Sequence, residues 1–217
     1  MMSDAKQPEG KAIWRKVAVP AMFGGVFGFG AAFALGSFAD GSWVGGLSTS
    51  AEIALIGGGL YVLIALMTLL GTLNPKAGAR YLNVEDEGEL AEMRAVLVNS
   101  CAAMALWGAA LMALALAAPG PLAAPLALAI ALGGLLGGAM FAWRSWKLSD
   151  ELMAAVTTEA NSLTALLAFA VLGGWGMLAH LGYIPGPQPL DLLTGLYALS
   201  LLATFVTVAR RGMMRLG

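Results

Sequence analysis

The sequence predicts an all-α integral membrane protein, and three observations carry that prediction. Of its 217 residues 59% are hydrophobic and 12% are charged, and the mean hydropathy is +0.79; soluble domains are nearer half apolar and a quarter charged. Six stretches of about 20 to 24 residues hold no Lys or Arg, and carry an acid only at their margins. All 12 Lys and Arg fall in the segments that six crossings put on one side. Helix is the required conformation, because lipid offers the backbone no hydrogen-bond partner and only helices and closed barrels satisfy it internally. A barrel needs strands of alternating polarity, and nothing here alternates.

A cytoplasmic amino-terminal segment, residues 1–16, carries Lys6, Lys11, Arg15 and Lys16. The transmembrane domain, 17–209, follows with spans at about 17–38, 52–73, 95–118, 122–143, 160–181 and 190–209, and residues 210–217 form a cytoplasmic tail. Each span, rising about 1.5 Å per residue, crosses a core of about 30 Å. The alternative for 17–38 is a cleaved signal peptide, but its apolar run exceeds the usual signal core, so a retained helix is expected. Asp40-Gly41-Ser42 and Gly45-Gly46 break spans one and two, and Asn74-Pro75 stops span two. Pro119-Gly120-Pro121 turns span three into four, and Pro185-Gly186-Pro187-Gln188-Pro189 turns five into six, so the six spans form three hairpins.

Span three is expected to begin as a helix before the bilayer, with Glu85, Glu89 and Glu92 on one face and Leu90, Met93 and Leu97 on another. Ser149-Asp150-Glu151 opens span five similarly, with Ser149 as N-cap. The two starts match each other. Glu89-Leu90 and Asn99-Ser100 recur as Glu151-Leu152 and Asn161-Ser162, 62 residues later (89 to 151, 99 to 161). The match predicts that helices 3-4 and 5-6 are parallel repeats. Cations beside both termini and in the loops after spans two and four orient the chain N-in and C-in under the positive-inside rule.

Glycine marks close helix contact. Gly24 and Gly28 in span one, and Gly133/Gly137 with Gly134/Gly138 in span four, have the small-xxx-small spacing that lets backbones approach. Trp14, Trp43, Trp143 and Trp146 sit at predicted interfaces, where an amphipathic ring anchors.

Polar groups within a span are costly, so each is a functional suspect. Glu52 lies at the outer margin of span two; Asn99, Ser100, Asn161 and Ser162 lie a turn or two inside the cytoplasmic face, beside Glu159; His180 and Asp191 flank the last outer loop. The repeat predicts that the Asn-Ser pairs share one depth and face the bundle interior, either lining a polar vestibule or bonding helices together. Glu85, Asp86, Glu87, Glu89 and Glu92 form the densest charge cluster. It lacks the Asp/Asn alternation and Gly of a calcium loop and reads as a solvated helix start, with docking of a basic partner as the functional alternative.

The missing chemistry also bounds function. Cys101 is the single cysteine and His180 the single histidine, which excludes an intramolecular disulfide, CxxC chemistry and bis-histidine haem. No GxSxG, HExxH, P-loop or GxGxxG occurs, so no catalytic, metal or cofactor residue is assigned. With net charge -1 and no basic stripe, nucleic acid is not an expected partner. The expected partners are the lipid bilayer and either other membrane subunits or a second copy. The Ala/Gly/Leu bias fits a GC-rich bacterium and thus its cytoplasmic (inner) membrane. Short loops and glycine-rich faces predict a non-catalytic accessory or scaffolding subunit. The alternative is a small-solute transporter or the membrane component of one, motivated by the repeat; an enzyme is third, with Glu52, Glu159, His180 and Asp191 as its only candidate groups.

Overall fold

The computed structural model describes residues 46–73, 87–117 and 120–213, and the regular structure among them is helical throughout. Five helices follow in order: α1 (Thr49–Leu73), α2 (Glu87–Ala115), α3 (Ala124–Leu148), α4 (Glu151–His180) and α5 (Pro189–Arg210). All five are long and apolar enough to cross a membrane. α4 is α-helical over Glu151–Ala168 and Gly174–His180, with one π turn, Phe169–Gly173, between them. The predicted span 17–38 with Gly24 and Gly28, the acids Glu85 and Asp86, and the last four residues lie outside the described residues.

The helix ends follow local chemistry. The Ser48 hydroxyl accepts the Ala51 amide at 3.3 Å and caps α1, with Glu52 in the first turn where an acid suits the helix dipole. α2 does start well before the apolar run, at Glu87. At α4 the expected cap is corrected: Asp150, not Ser149, caps the helix, its carboxylate accepting the Met153 amide at 2.7 Å. A carboxylate is the stronger acceptor at a positive helix end, and the Ser149 hydroxyl is used instead by α3, donating to the Ser145 carbonyl at 2.9 Å. α5 opens with Pro189 in its first turn, and Asp191 accepts the Gln188 amide at 2.8 Å. α4 closes on Gly182, whose φ of 77° belongs to the left-handed region that favours glycine. The turn between α2 and α3 needs Gly120, because a Cβ there would sit 2.5 Å from the Leu116 carbonyl oxygen.

α2 lies between α1 and α3, α1 also touches α5, and among the described residues the substantial contacts of α4 are with α5. Lipid gives apolar side chains no reason to leave it, so close fit and hydrogen bonds must hold such helices together. The α1–α2 crossing rests on two glycines: a Cβ on Gly58 would lie 2.7 Å from the Gly108 carbonyl oxygen, and one on Gly108 2.6 Å from the Gly58 oxygen. α3 meets α2 through Gly134, packed on Leu106 and Ala110, and Gly138, which lies against the Trp107 indole. Ala54, Leu55, Tyr61, Leu111, Ala115 and Tyr197 make the buried cluster where α1, α2 and α5 meet. Outside it apolar side chains stand free, among them Leu136, Leu166 and, at 82% exposure, Phe169. Such a surface is stable in acyl chains, not in water.

Candidate functional site

Polar chemistry gathers at three levels of the bundle. At mid-helix, the Tyr61 hydroxyl of α1 donates to the Tyr197 carbonyl of α5 at 2.9 Å. The Tyr197 hydroxyl donates to the Trp107 carbonyl of α2 at 3.0 Å. The two phenol rings pack at 4.9 Å between centroids, tilted by 51°. The Trp107 indole N–H points on to the Leu135 carbonyl of α3 at 3.4 Å. Four helices are thus tied by three ring donors. The sequence reading overlooked these residues. The available signal was position: Tyr61, Trp107 and Tyr197 sit in the middle of predicted spans, away from the interfacial belt that polar-tipped rings prefer.

Toward the Arg-rich end, Ser100 and Ser145 bring their hydroxyls to 2.7 Å, and Ser145 is also within 3.0 Å of the Val96 carbonyl. Ser145 is buried and Ser100 partly so, which makes this a hydroxyl clasp between α2 and α3. Asn99 turns away and donates to the Ala95 carbonyl of its own helix at 2.7 Å. The second pair behaves differently: Asn161 and Ser162 are both exposed, and Ser162 donates to its own Thr158 carbonyl at 2.9 Å. Of the two Asn-Ser pairs, then, only Ser100 joins an inter-helix contact. Glu159 does meet a partner. Its Oε2 accepts from Nε of Arg211 at 2.8 Å and lies 2.7 Å from an Arg211 terminal nitrogen, tying α4 to α5. One turn along α5, Thr207 is completely buried, and its hydroxyl has no hydrogen-bond partner among the described residues.

At the opposite end the first turns of α1 and α5 and the last turn of α2 enclose an open cavity of about 390 Å³, lined by Ser48, Ser50, Gln188, Leu114, Leu190 and Leu193 among others. Its polar rim is shallow, because Leu190 and Leu193 pack onto the buried cluster beneath. Glu52 is exposed beside it, Asp191 is engaged with Gln188, and His180 is exposed at the end of α4. The Trp175 indole donates to the Pro185 carbonyl at 2.9 Å and folds the connecting loop onto α4. Cys101 is free and buried.

The candidate glycine positions divide. Gly134 and Gly138 are buried against α2, Gly137 touches Leu106, and Gly133 faces open space. The acidic cluster is described in part: Glu87 and Glu89 lie in the first turn of α2, and Glu92 is exposed on its next.

Set against known proteins, the chain matches no family model, no curated protein and no solved structure. The class it defines is that of a helical multi-pass membrane protein, with five described helices able to cross a bilayer. Among the described residues some of its polar side chains bond back onto their own helix, as Asn99, Thr157 and Ser162 do, and others tie neighbouring helices, as Tyr61, Tyr197, Ser145 and Glu159 do.

Proposed function

We propose that this protein is a non-catalytic, polytopic subunit of the bacterial cytoplasmic membrane that scaffolds or assists a membrane complex. In this reading residues 17–38 supply a sixth span, both termini lie in the cytoplasm, and the Arg-rich end faces inward. The distribution of all 12 cations supports that orientation. The observation that carries the functional reading is at mid-helix: Tyr61, Tyr197 and Trp107 spend their donors on backbone carbonyls of neighbouring helices. A path for a polar solute needs hydrated polar groups at mid-depth. Association, by contrast, needs helix faces that the chain's own helices leave uncovered, and among the described residues α3 and α4 have such faces over much of their length, including Leu128, Leu132, Leu136, Leu166 and Phe169.

Native mass spectrometry of the protein gently extracted from its own membrane tests this. A defined hetero-complex is the expected result. A monomer retaining a small molecule would defeat the reading and favour the second one, a small-solute transporter. One observation supports that alternative: among the described residues α4 packs substantially on α5 alone, as a moving element of a transporter must be loosely held.

A further inference from the structure

Among the described residues the substantial contacts of α3 are with α2. Its contact face carries Gly134 against Leu106 and Ala110, Gly138 against the Trp107 indole, and Ser145 against Ser100. At about 100° per residue these three fall within an arc of about 40°. Directly across the helix, Leu132, Leu136, Met140, Trp143 and Lys147 fall within an arc of about 80°, and all five are exposed. α3 therefore has one narrow face for its neighbour and an outward stripe that is large and apolar until it ends in a cation.

The stripe has the length of one lipid leaflet. From Leu132 to Trp143 it rises about 16 Å, half of a hydrocarbon core of about 30 Å. The Lys147 ammonium stands 4.0 Å from the centroid of the Trp143 ring. The negative face of the ring holds it at the head of the stripe and leaves its charge uncancelled. Arg144 is exposed and lies three residues before Lys147, so a second cation stands beside the first. Neither is ion-paired among the described residues. The acids Asp150 and Glu151 lie beyond the end of α3, and Asp150 is spent on the Met153 amide. Trp146, half exposed, places a second indole at the same level.

We propose that the outward face of α3 binds an anionic phospholipid. One acyl chain lies along Leu132, Leu136 and Met140, the glycerol region meets the Trp143 and Trp146 rings, and the phosphate sits between Arg144 and Lys147. Charge complementarity selects the occupant: the guanidinium fork and the ammonium both bind phosphate oxygens, and each cation at this level adds attraction for an anionic lipid. A zwitterionic lipid fits the stripe as well but brings a cation of its own, so it gains less from the pair. A partner helix fits poorly here, because helix contacts in membranes use small residues and hydrogen-bonding groups rather than a ridge of Leu, Met and Trp. α4 differs in this respect, exposing Thr158, Asn161 and Ser162. The inference goes beyond the proposed scaffold and does not rest on it, since a lipid on α3 leaves α4 to a protein partner.

Native mass spectrometry of the full chain in detergent, titrated with phosphatidylglycerol or with phosphatidylcholine of the same acyl chains, tests this. The first phosphatidylglycerol is expected to bind at least about five-fold tighter than the first phosphatidylcholine, the factor that one cation contributes beside an anionic surface. R144Q and K147Q are each expected to remove about that factor from phosphatidylglycerol binding, while K147R keeps it. Phosphatidylcholine binding is expected to be unchanged in all three, which separates loss of the headgroup contact from misfolding. R210Q removes an exposed cation from α5 at the same end of the bundle and is expected to change neither lipid. Equal affinity for the two lipids overturns the proposal, as does phosphatidylglycerol binding that R144Q and K147Q leave intact. A loss with R210Q as large as with K147Q also overturns it, because the attraction is then diffuse and α3 holds no site.

Discussion

Tyr61 and Tyr197 lock α1 to α5 twice over, by a 2.9 Å hydrogen bond from the Tyr61 hydroxyl to the Tyr197 carbonyl and by direct packing of their rings. Because Tyr197 passes its own hydroxyl to Trp107, the lock extends to α2. Inter-helix hydrogen bonds in membranes average about 0.6 kcal/mol, so Tyr61→Phe is expected to cost about 0.5–1 kcal/mol. Tyr197→Ala removes the ring as well and is expected to cost about 3–5 kcal/mol through the cavity it leaves. Unfolding of the detergent-solubilised protein measures both. Equal costs for the two would show that the rings contribute no packing.

The glycine crossing of α1 and α2 is expected to be intolerant. Gly108→Ala places a methyl group 2.6 Å from the Gly58 oxygen, and backbone cannot yield as a flexible side chain does. A loss of about 1–3 kcal/mol is expected. Gly133→Ala, into open space on α3, is the control and is expected to be neutral or slightly stabilising, since alanine is the better helix former. Thermal melts of the two variants side by side decide it.

Thr207 and Ser145 are both buried but have opposite hydrogen-bond status, and their substitutions are expected to have opposite signs. Ser145→Ala strips a hydroxyl that bridges Ser100 and the Val96 carbonyl, at a cost of about 1 kcal/mol. Thr207→Val replaces an unpartnered buried hydroxyl by a methyl of the same shape, and is expected to raise stability by about 1 kcal/mol. If Thr207→Val lowers the melting temperature as Ser145→Ala does, the hydroxyl has a partner in the folded protein.

The Glu159–Arg211 pair is about one-third exposed on both sides, so its own contribution is expected to stay under about 1 kcal/mol. Arg211→Gln should therefore shift the melting temperature little at low salt and less at high salt, where exposed charges are screened. A loss that is large and independent of ionic strength would place the pair in a drier setting.

Much of this architecture is legible without coordinates. Composition, the lengths of the apolar runs and the obligation of every backbone amide to find a partner in lipid determine that the described chain is a set of long helices; Pro, Gly and acidic residues determine where they stop to within a few residues. Those are local properties of covalent structure and solvent. Which glycines touch is not local: Gly133 and Gly134 are neighbours of identical chemistry, and only the rotation of α3 against α2 leaves one in open space and buries the other against Ala110. The same holds for the repeated serines, where Ser100 reaches Ser145 on another helix and Ser162 bonds back to Thr158 on its own. It holds too for the tyrosines, whose mid-helix donors acquire meaning only when a carbonyl from another helix arrives opposite. The physical reason is that lipid rewards an apolar surface almost equally on every side of a helix, so only the fit between neighbouring helices selects which face each one turns inward.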